Sequence, residues 1–111
     1  MDLVSYPQRG EVWLISLDPT TGSEINKTRP CIVVSPNEIN KLLRTVIVAP
    51  LTSTIKNYPT RITIIFQSRN SSVALDQMRS VDKSRLLRKL GDLLPKESQE
   101  ISEILVAMFS Q

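Results

Sequence analysis

The sequence has 111 residues, of which 41% are hydrophobic and 23% charged. These ordinary globular proportions exclude the collagen-like and wholly disordered classes, and the length predicts a single domain over residues 1–111. The net charge of +3 divides into +5 on residues 1–95 and −2 on residues 96–111, a basic body that is compatible with a polyanionic partner without identifying one.

The first half of the chain predicts three strands and one helix from its β-branched runs, turn residues and helix-start signals. In chain order these are a strand over Gly10–Leu17, a strand over Arg29–Ser35, a short helix that starts near Ser35–Glu38 with Ser or Asn as its cap, and a strand over Thr45–Leu51.

The second half predicts two further strands and two helices. In chain order these are a loop over Thr52–Pro59, a strand over Thr60–Phe66, a turn over Ser68–Ser72, a strand over Val73–Val81, a basic helix over Lys83–Leu90 that is capped by Asp82 and stopped by Gly91, and an amphipathic helix over Pro95–Phe109. Five strands with an inserted helix and a terminal helix predict a compact α+β domain, a small curled barrel.

The rare and absent residue types restrict the cellular compartment and the kinds of catalysis that we expect. A lone cysteine, Cys31, cannot form an intramolecular disulfide, so we expect a buried, unreactive thiol in a reducing compartment. The longest apolar runs have six residues, against the roughly 18 that span a bilayer, and the N-terminus lacks a signal pattern. We therefore expect a soluble, cytoplasmic protein. Histidine is absent, which excludes His-dependent triads, His-pair ribonuclease chemistry and most catalytic zinc sites; no cofactor or metal is expected.

Three side chains are candidate catalytic groups, and each also has a purely structural interpretation. Arg29 precedes Pro30, which fixes a stiff junction that would present a guanidinium to a phosphate. The alternative is an arginine that pairs with Glu24 and orders the loop. Thr52 follows an apolar strand and is either a positioned hydroxyl or a turn residue, and Glu24 is either an acid–base group or a surface charge. Residue chemistry alone favours the structural alternative for all three.

Asp76 interrupts a strand-like run and is predicted to lie partly inward. A carboxylate there needs a cationic partner such as Arg79 or Arg29, and a structural ion pair is as plausible as catalysis.

Four ordered sequence blocks resemble the MazF/PemK family of toxin endoribonucleases, and together they extend over nearly the whole chain. The blocks are Arg9-Gly10-Glu11-Val12-Trp13 through Asp18-Pro19-Thr20-Thr21-Gly22-Ser23-Glu24, Thr28-Arg29-Pro30-Cys31-Ile32-Val33-Val34-Ser35, Val46-Ile47-Val48-Ala49-Pro50-Leu51-Thr52, and Asp76-Gln77-Met78-Arg79-Ser80-Val81-Asp82.

This resemblance implies an SH3-like, five-stranded antiparallel barrel of the CcdB/PemK type. It also implies a type II toxin: a homodimer that cleaves single-stranded RNA without a metal at short sequences, inhibits translation and is held by a MazE-like antitoxin with an acidic, disordered segment. It reverses the preference stated above for Arg29 and Thr52, which become the catalytic pair, with Glu24 as a third catalytic residue. The RNA-binding residues that it implies are Ser23, Lys27, Thr28, Ser53, Lys56, Asp76, Gln77 and Arg79.

One departure separates two branches of the family. The Kid/PemK branch has a histidine in the first loop and an arginine two residues before the aspartate, where this chain has Ser23 and Ala74. The MazF-type assignment is therefore preferred. Two alternatives stay open: a gyrase-poisoning toxin of the same fold and a non-catalytic RNA-binding module. The first is disfavoured because such toxins end in a tryptophan-glycine-hydrophobic triplet, whereas this chain ends Ala107–Gln111.

Overall fold

The structure, a computed structural model, describes residues 6–17 and 28–111. Its elements, in chain order, are β1 (Glu11–Ser16), β2 (Thr28–Val33), α1 (Asn37–Leu42), β3 (Thr45–Thr52), β4 (Arg61–Phe66), β5 (Arg69–Ala74), a 3-10 turn (Leu75–Gln77), β6 (Arg79–Asp82), a second 3-10 turn (Lys83–Arg85), β7 (Leu86–Asp92) and α2 (Pro95–Phe109).

The described strands form one antiparallel sheet in the order β4-β5-β3-β2-β1-β7, with β6 also paired to β3. β3 is shared by three partners: β2 lies along one edge, while β6 and β5 follow one another along the other. The curled antiparallel sheet with a C-terminal helix confirms the predicted α+β class, although it is built from seven strand segments instead of five.

The two faces of the sheet bury separate apolar clusters, as the alternation of side chains along a strand requires. On β2, Ile32 belongs to the larger cluster, whereas Cys31 and Val33 belong to the smaller one. α2 covers the larger cluster through its buried Ile101 and through Ile104, Leu105 and Met108. In the described part of the chain, no helix is long and apolar enough to cross a bilayer.

Both α-helices are confirmed, but the predicted cap of α1 is wrong. Pro36 occupies the cap position and makes no side-chain cap bond. The Ser35 hydroxyl instead donates to Asn40 Oδ1 at 2.5 Å and accepts from the Ile47 amide at 3.0 Å. Ser35 therefore ties α1 to β3.

The predicted turn over Ser68–Ser72 and the predicted strand over Val73–Val81 are both displaced. The reversal needs only Gln67 and Ser68, whose φ angles are 51° and 64°, so β5 begins at Arg69. The 3-10 turn at Leu75–Gln77 then divides β5 from β6. Left-handed backbone is the usual geometry of a two-residue hairpin but normally calls on Gly or Asn, so the Gln-Ser sequence gives little sign of the turn.

The predicted basic helix over Lys83–Leu90 is wrong. Asp82 does accept a hydrogen bond from the Ser84 amide at 2.9 Å, but the turn it caps ends at Arg85 and the chain continues as β7. Apolar residues four apart, such as Leu86 and Leu90, fit a period of two as well as one of 3.6. Because this segment pairs with β1, it forms a strand and not a helix.

Candidate active site

Arg29 and Thr52 come to the same level of two paired strands. β2 and β3 pair with Cys31 opposite Pro50 and Ile32 opposite Ala49. Arg29 lies two residues before this ladder on β2, and Thr52 lies two residues after it on β3. The two residues that the resemblance implies as a catalytic pair therefore lie at the same end of adjacent strands.

Arg29 presents an exposed cation. Its side chain is exposed and makes no hydrogen bond or ion pair to residues 6–17 or 28–111. The positive charges of Arg29 and Arg79 both oppose the rise in the pKa of Cys31. Both residues are exposed, and exposed cations are suited to binding a polyanion.

Cys31 is the buried, unreactive thiol expected from the sequence. It has no exposed surface, and burial raises the pKa of its thiol to about 12. The thiol therefore stays protonated at neutral pH, which removes it as a nucleophile.

Thr52 is half-buried at the end of β3, and its hydroxyl is oriented by the loop that follows. Its Oγ1 accepts a hydrogen bond from the Thr54 amide at 3.1 Å, so its own proton remains available for donation. Across the β3–β5 ladder it faces Ser72, whose buried hydroxyl has no hydrogen-bond partner among the described residues.

A cavity of about 420 Å³ opens beside Thr52. Its apolar lining residues are Pro30, Leu51 and Phe66, and the other lining residues are polar or charged. The full lining is Pro30, Leu51, Thr52, Ser53, Phe66, Gln67, Arg69, Asn70 and Ser71. An open, mixed cavity beside a hydroxyl can accommodate part of a flexible polar ligand.

Asp76 pairs with Arg61, and the partners predicted from the sequence, Arg79 and Arg29, are wrong. Arg61 donates to both carboxylate oxygens, from Nε at 2.6 Å and from Nη2 at 3.1 Å, and the Thr60 hydroxyl donates at 2.9 Å. These bonds, led by that from Arg61, lower the pKa of Asp76 to about 2. The carboxylate is therefore ionised at neutral pH, and both of its oxygens accept hydrogen bonds.

Sequence reasoning missed Arg61 because its partner lies 15 residues away. The pairing of β4 with β5 sets Arg61 directly opposite Ala74, two residues before Asp76. The proximity of Arg61 to Asp76 follows from the register of the sheet and not from a local sequence motif.

The sequence matches the family described as PemK-like, MazF-like toxins of type II toxin–antitoxin systems over residues 8–109. The chain belongs to this family. It is similar to endoribonuclease MazF9 of Mycobacterium tuberculosis, at 38% identity with 88% of this chain and 92% of the relative covered. It is also similar to endoribonuclease MazF of Staphylococcus saprophyticus, at 35% identity over 88% and 87% of the two chains.

Solved structures of MazF proteins have the same fold. A Deinococcus radiodurans MazE–MazF complex matches with a TM-score of 0.80 at 27% identity, covering 95% of this chain and 96% of the other. MazF from the same organism matches with a TM-score of 0.78 at 25% identity, covering 97% and 100%.

The residues predicted to serve this MazF-like site fall into three groups in the fold. Thr28 and Arg29 begin β2. Thr52, Ser53 and Lys56 lie at the end of β3 and in the loop after it. Asp76 and Gln77 lie in the 3-10 turn after β5, and Arg79 begins β6. Ser23, Glu24 and Lys27 lie outside the described residues. Among the residues that the structure describes, no three Cys, Asp or Glu side chains are grouped as a metal site.

Proposed function

We propose that this chain is an endoribonuclease toxin of a type II toxin–antitoxin system that cleaves single-stranded mRNA and so inhibits translation and growth. The observation that carries the proposal is the match to the toxin family over residues 8–109. Two relatives above 30% identity that are named endoribonucleases support the reaction class. The exposed guanidinium of Arg29, on the strand next to that of Thr52, supports the same reaction from the geometry.

The proposed reaction uses the ribose of the substrate as its own nucleophile. The 2′-OH loses its proton and attacks the adjacent phosphorus, the bond from phosphorus to O5′ breaks, and O5′ gains a proton. The products are a 2′,3′-cyclic phosphate and a 5′-OH. This route needs charge stabilisation on the pentavalent phosphate and two proton transfers, and no resident metal.

Arg29 and Thr52 together stabilise the negative charge that develops on the phosphate. The Arg29 guanidinium donates to the non-bridging phosphate oxygens as negative charge develops on them. The Thr52 hydroxyl donates a hydrogen bond to a phosphate oxygen or positions the 2′-OH. Its O–H is available for this because the hydrogen bond from Thr54 occupies only an oxygen lone pair. Glu24 is proposed as the positioning or acid–base group, since an arginine side chain is a poor proton acceptor in water.

The decisive experiment is an RNA-cleavage assay with and without EDTA, using an oligonucleotide with one deoxyribose 5′ of the scissile phosphate as the second substrate. We expect unchanged cleavage in EDTA, a cyclic phosphate product, and no cleavage of the deoxy-substituted RNA despite persistent binding. Cleavage of the deoxy substrate at the all-ribose rate would contradict 2′-OH attack. Binding without any cleavage would indicate a non-catalytic RNA-binding module.

Two further parts of the proposal concern assembly. The toxin acts in the cytoplasm as a homodimer whose interface groove binds RNA, and an antitoxin with an acidic, disordered segment occupies that groove. The charge of +5 on residues 1–95 supports such a partner. The likeness in fold to the Deinococcus radiodurans MazE–MazF complex supports it as well.

Sedimentation of the purified chain tests the dimer, and an inhibition assay tests the shared groove. Antitoxin binding should weaken as salt rises, because exposed charge pairs are screened within about 8 Å at physiological ionic strength. A saturating antitoxin peptide that left RNA cleavage unchanged would count against a shared groove.

A further inference from the structure

Asp76, Arg61 and Thr60 form a polar cluster that is joined by three hydrogen bonds. The guanidinium of Arg61 bonds both oxygens of Asp76, and the Thr60 hydroxyl adds a third bond. The side chain of Arg61 is only 7% exposed, against 33% for Asp76. The arginine is thus held between the loop and the sheet, where a two-pronged geometry restricts its motion.

The same cluster fastens one end of the loop between β3 and β4, residues 53–60. The Tyr58 ring lies 5.3 Å from the guanidinium carbon of Arg61, and the Tyr58 carbonyl accepts from the Arg61 amide at 3.0 Å. The Thr60 carbonyl accepts from the Leu75 amide at 3.2 Å. Side-chain and backbone bonds therefore tie the loop to the turn at Leu75–Gln77.

The other end of this loop is fastened at Thr52, through the bond from the Thr54 amide to the Thr52 hydroxyl. Between the two fastenings, Ser53 and Lys56 are exposed. Beyond the second fastening, Gln77 and Arg79 are exposed as well. A loop closed at both ends presents its side chains in few arrangements, which lowers the entropy lost on binding a ligand.

We propose that Asp76 and Arg61 are a positioning pair that holds the 53–60 loop against the Leu75–Gln77 turn, so that Ser53 and Lys56 meet the same RNA strand as Gln77 and Arg79. Asp76 acts through Arg61 and does not itself touch RNA or move a proton. This inference rests on the proposed endoribonuclease function.

Two observations argue against a direct role for Asp76. Both of its oxygens accept hydrogen bonds from protein groups, so a substrate group would have to compete with Arg61 and Thr60 for the carboxylate. Its pKa near 2 keeps it negatively charged at neutral pH, so it has no proton to donate and is a weak base. A fixed negative charge would also repel a phosphate unless a cation covers it, as Arg61 does here.

A double-mutant cycle tests the pair: Arg61→Ala, Asp76→Ala and the double variant, each assayed for KM and kcat on a single-stranded RNA oligonucleotide. We expect KM to rise roughly three- to tenfold in each single variant, with kcat within about twofold of the wild type. The reason is that the lost contacts bind the substrate and the transition state equally. The double variant should be no worse than the worse single variant. Asp76→Asn, which keeps the bonds from Thr60 and one Arg61 nitrogen, should have an intermediate KM.

Lys89→Ala is the matched control, since Lys89 bonds Glu11 at 3.1 Å and Asp92 at 3.2 Å on β1 and β7. It removes an ion pair away from the loop and should leave KM unchanged. If the alanine variants fail to fold, Arg61→Lys and Asp76→Asn replace them in the cycle.

Three outcomes would overturn the inference. A fall in kcat for Asp76→Ala far beyond that for Arg61→Ala would make Asp76 a catalytic residue. Additive effects in the double variant would mean that the two side chains act independently. An unchanged KM in every variant would make the pair purely structural.

The positioning claim also has a readout that does not need cleavage. Hydrogen exchange at the amides of residues 53–60 should quicken in Arg61→Ala and Asp76→Ala but not in Lys89→Ala. A wild-type protein that cuts no RNA would therefore refute the proposed function while leaving the fastening of the loop open to this measurement. Unchanged exchange in both variants would refute the fastening itself.

Discussion

Arg61 and Ala74 face each other across the β4–β5 ladder, and the guanidinium of Arg61 bonds Asp76, two residues beyond Ala74. Ala74 is 1% exposed, so the position has no free volume toward solvent. Like charges directly opposite one another in a sheet are destabilising.

Ala74→Arg should therefore lower the stability of the protein, because it would bury a second cation against Arg61 and overpack the site. Overpacking alone costs about 1–3 kcal/mol, and the melting temperature measured by circular dichroism should fall accordingly. Ala74→Ser is the control and should melt close to the wild type. A stable Ala74→Arg protein would mean that Arg61 can leave Asp76 without cost.

Arg29→Ala and Thr52→Val should each lower the rate of RNA cleavage roughly 100-fold, the usual effect of removing one donor from a developing oxyanion. Arg29 is exposed and valine matches the volume of threonine, so neither change should alter the fold. Arg88→Ala and Thr63→Val, at exposed positions of β7 and β4, are matched controls and should cleave normally. Near-normal cleavage by both test variants would show that the catalytic pair is assigned wrongly.

The pKa of Asp76, held near 2 against an ordinary value of 3.8, makes stability depend on pH in acid. A carboxyl whose pKa is lowered by folding stabilises the protein above the unfolded pKa, and that stabilisation is lost as the pH falls through the folded value. The wild type should therefore melt higher than Asp76→Asn at pH 7, and the difference should shrink between pH 4 and pH 2. A difference that stayed constant over this range would mean that Arg61 does not perturb Asp76.

Cys31 should resist thiol reagents in the folded protein at pH 8, because its pKa near 12 leaves almost no thiolate and its side chain is fully buried. Titration with a chromogenic disulfide should give no fast reaction in buffer and one equivalent in guanidinium chloride. Rapid labelling of the native protein would indicate that β2 opens readily.

The parts of the fold that the sequence predicted correctly are those where one periodicity is possible. β1, β3, β4 and α2 each have either a long apolar run or a clear helical spacing, and the structure confirms them within a few residues. β7 was predicted as a helix because leucines four apart fit both periods, and its pairing with β1 spans most of the chain. No local pattern encodes a partner that distant.

The candidate site also has some features that the sequence could predict and others that it could not. Arg29 and Thr52 could be singled out because each lies at a strand end beside a residue with a clear structural signal, Pro30 for one and the apolar strand for the other. The partner of Asp76 could not, because Arg61 reaches it through strand register. Pairing between strands is thus the information that the linear pattern lacks.

The pairing of β1 with β7 also bears on how the protein is made. Glu11 lies opposite Asp92, so the strand that borders β1 leaves the ribosome long after β1 itself. Until then, β1 has an open edge with free amide and carbonyl groups, which invites pairing with other chains. An incomplete chain that ends before Leu86 cannot close this edge, although it already contains Arg29 and Thr52. The order of synthesis therefore delays closure of this edge until β7 has been made.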